Sequence, residues 1–337
     1  MKAPEPNFDH VARMTDEHGM YEHADHTSPR RDLGYCTDDM ARLLVVTCRE
    51  PNPSPLVVGL ARAALRFLAD AQGVTGDSSN RMNRRGRREG PRTVEDCWGR
   101  SLWGFGTAAA RAPQDWMRQD ALARFERGAS RRSPWSRAMA FAALGADQVL
   151  VAHPGHRSAM LLLDEAAEQI GARQRAALWR WPEARLSYAN AVLPEVLIAA
   201  GAALGRDAYL TDGLELLAWL LDHESFDGHL SVTPVGGCAR EELHPGFDQQ
   251  PIEVAALADA CARAWRVTGE QRWVDGVASA VAWFLGDNDS GAVMWDDESG
   301  GGYDGLQIDG PNLNEGAEST LAFISTMQHG RNLVPVP

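Results

Sequence analysis

Two kinds of helix alternate along the chain, and that alternation constrains the fold more than any other feature of the sequence. The first kind is rich in small residues and apolar on most sides, as in AMAFAALGADQVL (138–150), ANAVLPEVLIAAGAAL (189–204) and PIEVAALADACARAW (251–265). A helix apolar all round has to be buried. The second kind is amphipathic: DAYLTDGLELLAWLLD (207–222) sets Leu210, Leu214, Leu217 and Leu221 at i, i+4, i+7 and i+11, a stripe suited to one-sided burial. Segments 54–72, 115–127, 156–171 and 270–285 read the same way. Buried-type helices begin near Asp38, Val94, Pro134, Leu186, Pro251 and Glu315, 40 to 65 residues apart, which leaves room each time for two helices and a loop. Six such helices interleaved with five or six amphipathic ones predict an all-α fold, an (α/α)6 toroid of repeated hairpins without an obvious sequence repeat. Strand signals around 229–233 and 292–295 are short and predict only minor β-hairpins in loops. No Pro/Gly-rich linker divides the chain, so 1–337 reads as a single domain with 1–20 as an N-terminal extension or outer helix.

Composition narrows the class. The chain is 44% hydrophobic and 23% charged, an ordinary globular balance, and no apolar run approaches the ~18 residues that a membrane-spanning helix needs. The opening MKAPEPNFDHVARM lacks the apolar core of a secretory leader, which predicts no export by that route. Five scattered cysteines (Cys36, Cys48, Cys97, Cys238, Cys261) form no CxxC cluster and read as reduced thiols. A cytoplasmic protein without disulfide, metal or cofactor is expected. The net charge of −13 argues against nucleic acid as a partner. Acid is concentrated late: residues 1–140 carry 22 basic and 18 acidic side chains and the remainder 11 and 28, so the question becomes which carboxylates do chemistry.

The starts of the buried-type helices gather polar residues: Thr37-Asp38-Asp39, Thr93-Val94-Glu95-Asp96, Ser133-Pro134-Trp135, Ser187-Tyr188-Ala189-Asn190 with Glu195 a turn later, Asp248 to Glu253, and Asn314 to Glu318. Each alone is an N-cap with acids favoured by the helix dipole. Parallel inner helices would bring all six to one face, and six together predict a lined cavity. Acids with Trp98, Trp135, Trp181 and Trp295 nearby in sequence suit a sugar, because carboxylates bind hydroxyl pairs and indole faces stack on pyranose C–H groups. Glycoside hydrolysis needs two carboxyl groups, one protonated and one ionised. The candidates are Asp38, Asp39, Glu95 and Asp96 on one side and Glu253 or Glu318 on the other. Adjacent helical residues point about 100° apart, so one of each doublet is expected to face the cavity. Expected substrate contacts are His26, Trp98, Arg100, Trp135, Tyr188, Asn190, His244, Asp248, Gln250, Asp304 and Asn314.

Other groups carry weaker signals. His23 and His26 in an N-terminal loop, with His244, could move protons in an epimerase, or in a lyase together with Tyr188. RMNRRGRREGPR (81–92) holds six arginines and reads either as a solvated loop or as a site for an anionic sugar. The glycine-rich stretches 228–237 and 299–316 lack the spacing of a nucleotide cradle and read as long loops, the second offering Asp304 and Asp309 as ligands.

The motifs GYCTDDMAR (34–42), EDCWGRSLWGFG (95–106), FDQQPIEVAA (247–256) and GGGYDGLQIDGPNLNEGAESTLA (300–322) resemble a bacterial family of six-hairpin glycosidase-like proteins. Its members occur alone or joined behind a retaining glycosyltransferase domain. The resemblance spans roughly 20–330 and implies an (α/α)6 barrel with a carbohydrate-directed role, and it transfers no catalytic pair. This chain has Asn314-Glu315-Gly316 where the family pattern has Asn-Gln-Gly. The expected function is a glycoside hydrolase using paired carboxylates on an oligosaccharide. The alternatives are a His/Tyr-based epimerase or lyase, and a non-catalytic glycan-binding domain associated with glycosyltransferases. A glycosyltransferase or glycosidase pathway partner is expected, with neither nucleic acid nor membrane.

Overall fold

The computed structural model describes residues 3–171, 179–242 and 246–333. These fall into two compact units: Phe8–Gln169 with Ala203–Gly205, and Met1–Asn7 with Ile170–Ala202 and Arg206–Pro337. Each is built from helices that alternate between fully and one-sidedly buried.

The unit containing Phe8–Gln169 holds α1 (Asp9–Arg13), α2 (Thr37–Arg49), α3 (Pro55–Ala71), α4 (Asp96–Arg111), α5 (Asp115–Gly128), α6 (Ser136–Ala152) and α7 (Arg157–Gly171). Every residue of α4 from Cys97 to Ala109 is buried, and the helix packs against α2, α5 and α6. Glycine makes the α4–α6 contact possible. A Cβ added to Gly99 would lie 2.1 Å from the Ala138 carbonyl oxygen, one on Gly106 2.1 Å from that of Gly145, and one on Gly145 2.1 Å from that of Leu102. The two backbones therefore touch directly, closer than side-chain ridges would allow. By contrast α3 is a one-sided helix. The Ser54 hydroxyl caps it by accepting from Val57 N, Pro55 opens it, and its apolar stripe runs from Val57 to Ala71.

The other unit holds α8 (Val192–Leu204), α9 (Asp207–His223), α10 (Pro251–Thr268), α11 (Gln271–Phe284) and α12 (Ala317–Leu333). Helix α10 packs against α9, α11 and α12 and ends on Gly269 in the left-handed conformation. Two sequence expectations shift here. Helix α8 begins at Val192, beyond the predicted start near Leu186, because Ala189 adopts φ 45° and cannot continue a helix. The buried face of α9 is Gly213, Leu216, Leu217 and Leu220, so of the predicted stripe only Leu217 is fully buried. The reason is Gly213, where a Cβ would meet Ile198 N at 2.8 Å: the helix turns its smallest residue toward α8.

Most of the strands are two residues long and make local hairpins, including Ser225–Phe226 with His229–Leu230, and Leu306–Gln307 with Gly310–Pro311. The segment 292–295 forms no strand; Trp295 makes a single bridge to Gly302. The arginine-rich 81–92 lies mostly within a hairpin of Ser78–Met82 and Arg88–Thr93, whose first strand also pairs with Tyr35–Cys36. Hydrophobic alternation could not reveal it, because its buried positions are Ser78, Ser79 and Met82 and half-buried arginines take the place of apolar residues. Arg88 lies over the Phe67 ring at 4.0 Å and pairs with Asp70, while Arg92 donates to the Ala71 carbonyl, so guanidinium stems cover the end of α3. No helix among the described residues is long and apolar enough to cross a membrane.

The glycine contacts set a stability test. Gly145→Ala is expected to destabilise the protein by about 1–3 kcal/mol through overpacking between α4 and α6. Gly59→Ala, on the exposed face of α3 with nothing within 4 Å of the added methyl, is expected to stabilise it by up to about 1 kcal/mol. Urea unfolding of both variants reads the contrast, and equal midpoints would refute the packing account.

Candidate active site at the helix starts

The starts of the inner helices are built differently from that of α3. Cys36, Glu95, Trp135 and Gln250 occupy the N-cap positions of α2, α4, α6 and α10, and none makes a side-chain capping bond. The acids in these first turns are placed instead by arginines, on their own helix or a neighbouring one, and by backbone N–H groups of other elements.

In the unit containing Phe8–Gln169, the starts of α2 and α4 meet. Thr37 Oγ1 donates to the Ser79 carbonyl at 2.7 Å and Cys97 Sγ to that of Ser78 at 3.4 Å, so one hairpin strand ties both helices. Between them lies Arg100, 3% exposed, with its guanidinium 3.9 Å from the centre of the Phe141 ring. Its Nε is 3.9 Å from Asp38 Oδ2 and its Nη2 3.9 Å from Asp96 Oδ2, and both carboxylates remain partly exposed. Those separations are ion pairs but too long for hydrogen bonds, and Arg100 Nε makes no hydrogen bond. Asp39, the other half of its doublet, turns inward to Arg42 Nη1 at 2.5 Å. Glu95 is exposed beside Thr93, and Trp135 is 59% exposed at the start of α6. Trp98 is fully buried with its indole donating to the Gly128 carbonyl, which makes it a packing residue of α4. His26 is exposed beside Asp25, on the hairpin at 24–29. Cys97 is an inert thiol, pushed up to about 12 chiefly by burial. Glu22, Cys36 and Asp39 approach one another closely, but Arg81 pairs with Glu22 and Arg42 with Asp39, and burial keeps the Cys36 thiol protonated. That set offers a cation little.

In the other unit, carboxylates from one element cap another. Glu253, in the first turn of α10 and 2% exposed, accepts from Ala189 N, Asn190 N and Asn190 Nδ2 and so holds the segment leading into α8. Asn190 Oδ1 in turn accepts from Ser187 N at 2.9 Å. Asp304 accepts from Gly316 N at 2.9 Å just before α12, and its own N–H donates to the Asn314 carbonyl. Gln249 and Leu306 exchange backbone hydrogen bonds, which lays the loop before α12 on the start of α10. A Cβ on Gly305 would meet Gln250 Nε2 at 3.0 Å. Half-buried Asp248, Gln250 and Glu318 and the 43% exposed Tyr188 stand on the same segments. Glu195 is taken by Arg263 and Glu315 accepts from the Ser299 hydroxyl. Asp309 is exposed on the tip of its hairpin. His244 lies outside the described residues.

Sequence reading missed Glu224. It ends α9, where an acid is ordinary, and nothing local marks it. The structure buries it completely, with Oε1 accepting from Thr233 N and Oγ1 while Oε2 has no hydrogen-bond partner. Burial, and then the charge of Glu253, push its carboxyl up to about 8 against the bonds from Thr233. Glu224 therefore carries a proton at neutral pH, whereas Glu253 is surrounded by N–H donors that favour the carboxylate. Gln249 was also missed; its amide joins Asp289, itself paired with His229, to the Trp283 indole.

No protein-family model matches the chain, and no curated protein matches its sequence. Solved structures do match. A sugar epimerase from a ruminal bacterium aligns with a TM-score of 0.73 at 12% identity, over 98% of this chain and 96% of that one. The cellobiose 2-epimerase of Spirochaeta thermophila aligns at 0.68 and 13% identity, over 97% and 94%. A C. cellulolyticum cellulase in complex with cellobiose aligns at 0.63 and 8% identity, over 98% and 91%. The likeness shows the fold: this chain has the (α/α)6 fold of six-hairpin glycosidase-like proteins.

The Glu224 site gives stability a signed pH dependence. Between the ordinary 4.5 and about 8 the folded chain holds a proton that the unfolded chain has lost. This contribution is complete below the lower value and disappears as pH rises through the upper one. Glu224→Gln removes it. Its unfolding midpoint is expected to gain on the native protein's between about pH 5 and about pH 9, and a difference independent of pH would refute the assignment.

Proposed function

We propose that the protein is a carbohydrate-active enzyme that hydrolyses a glycosidic bond with carboxyl groups at its inner-helix starts. The observation that carries this reading is Arg100, buried between Asp38 and Asp96 at 3.9 Å from each. A hydroxyl both accepts and donates, so one that accepts from the guanidinium and donates to a carboxylate satisfies both across such a gap. Neighbouring hydroxyls of a sugar ring supply that pattern. Exposed Trp135, at the start of α6 next to α4, adds an indole face of the kind that stacks on sugar C–H groups. The neighbours support a saccharide ligand, two being sugar epimerases and one being bound to cellobiose. In this reading Asp38 and Asp96 bind the sugar and serve as base or nucleophile. Glu95, exposed at the N-cap of α4, is the carboxyl of the same unit placed to donate a proton. Glu253 and Asn190 position the segment that carries Tyr188. Five buried cysteines, none in a disulfide, fit a reducing, cytoplasmic setting.

Epimerisation of a sugar is the second reading, favoured by two epimerases that match over nearly their whole length. It would draw its proton transfer from His26, on the exposed hairpin at 24–29, from Tyr188, and from His244, which lies outside the described residues.

Incubation with β- and α-linked gluco- and manno-disaccharides separates the two. Hydrolysis releases two monosaccharides per event, detected as new reducing ends, whereas epimerisation changes the proton NMR spectrum without adding any. Asp38→Asn and Asp96→Asn are each expected to lower turnover by about 10²-fold or more. Full activity in both variants would remove these residues from the reaction.

A further inference from the structure

The hairpin at 78–93 has a feature that neither folding nor the Asp38–Arg100–Asp96 site accounts for. Three of its six arginines have partners: Arg81 on Glu22, Arg88 on Asp70 and the Phe67 ring, and Arg92 on the Ala71 carbonyl. The other three, Arg84, Arg85 and Arg87, are exposed in the turn, and their side chains make neither ion pair nor hydrogen bond among the described residues. The turn that presents them is fixed. Asn83 Oδ1 accepts from Arg85 N at 3.0 Å and Arg87 N at 3.2 Å, and Asn83 N donates to the Arg87 carbonyl. Gly86, at φ 70°, packs against the His18 ring closely enough that a Cβ would lie 2.7 Å from it. The acid nearest in sequence, Glu89, is bonded by Asn83 Nδ2.

The turn also has a defined place relative to the helix starts. Gly34 packs on Met82 O and Asn83 Cα, and Tyr35 pairs with Met82. Tyr35 and Cys36 are extended and α2 begins at Thr37, so Asp38 lies about 10 Å from Gly34 along the chain. A ligand seated at Asp38 and extending along this strand reaches the turn after more than one sugar ring. A chain of net charge −13 repels anions at a distance. Three guanidiniums on a rigid turn reverse that locally, and each offers the forked donor geometry that fits a carboxylate or phosphate.

We propose that the protein's saccharide ligand is anionic, its carboxylate or phosphate docking on Arg84, Arg85 and Arg87 while the neutral part of the molecule reaches Asp38, Arg100 and Asp96. This rests on the sugar reading above and narrows it to a substrate class: a uronate-bearing or phosphorylated oligosaccharide.

The test measures binding of the full chain to uronate-terminated di- and trisaccharides, to the same sugars with the carboxyl reduced to an alcohol, and to matched sugar phosphates. The acidic forms are expected to bind at least about tenfold more tightly than the reduced ones, with the advantage shrinking as salt is added. Whether uronates or phosphates gain more identifies the source of the charge. The variant Arg84→Gln/Arg85→Gln/Arg87→Gln is expected to lose that preference, and Arg62→Gln, an exposed arginine on α3, to keep it. Equal binding of acidic and reduced sugars by the native protein overturns this proposal and leaves the sugar reading standing. Binding of no saccharide overturns the sugar reading itself. Preference of the turn for single-stranded RNA over every saccharide overturns the assignment of its partner.

Discussion

The approach of α4 to α6, so close that Gly99, Gly106 and Gly145 have no room for a side chain, governs the unit that holds the candidate site. A backbone contact of this kind fixes the relative height and rotation of two helices far more tightly than interdigitated leucines do. With α4 held on α6 and packed against α2, its first turn has little freedom. Asp96 and Arg100, one turn apart on α4, come to rest beside Asp38 on α2 and above Phe141 on α6. The separation between charges is thus set by packing in the helix interiors, not by attraction between the side chains themselves. That is how a guanidinium can be buried yet stand 3.9 Å from its carboxylates, and a site preorganised in this way need not rearrange to bind.

A second principle orders the other unit. Helix starts expose N–H groups that require acceptors, and here acceptors come from neighbouring elements. Glu253 serves the segment before α8, and Asp304 the segment before α12. Each such carboxylate joins two elements, so the loops carrying Tyr188, Gln250 and Asn314 are held by charge-assisted hydrogen bonds. Two roles divide the acids accordingly. Buried ones staple, as Glu253, Glu195 and Glu315 do, or pair within their own helix, as Asp39 does; Asp38, Asp96 and Glu318 are partly exposed.

The architecture was legible in the sequence because burial is periodic: a helix apolar all round can only be internal, and five of the six starts inferred from that rule lie within two residues of those of α2, α4, α6, α10 and α12, with α8 beginning later. Departures have local causes. Ala189 at positive φ delays α8, Gly213 rotates α9, and an arginine-faced hairpin hides from a hydrophobic template. Individual site residues were harder, because the same Asp at a helix start can point to solvent, to a neighbouring arginine or to another helix's N–H groups. Asp38 and Asp39 are adjacent and do different things. Trp98 sits in a promising motif and fills the core, whereas Glu224 sits in an unremarkable one and is fully buried. Such distinctions depend on contacts distant in sequence.

A crystal structure of the protein with a bound saccharide would test the central claim most directly. The account expects sugar hydroxyls within about 2.7–3.2 Å of the Arg100 guanidinium and of at least one of Asp38 and Asp96. A saccharide seated with no contact, direct or through one water, to any of the three would contradict it.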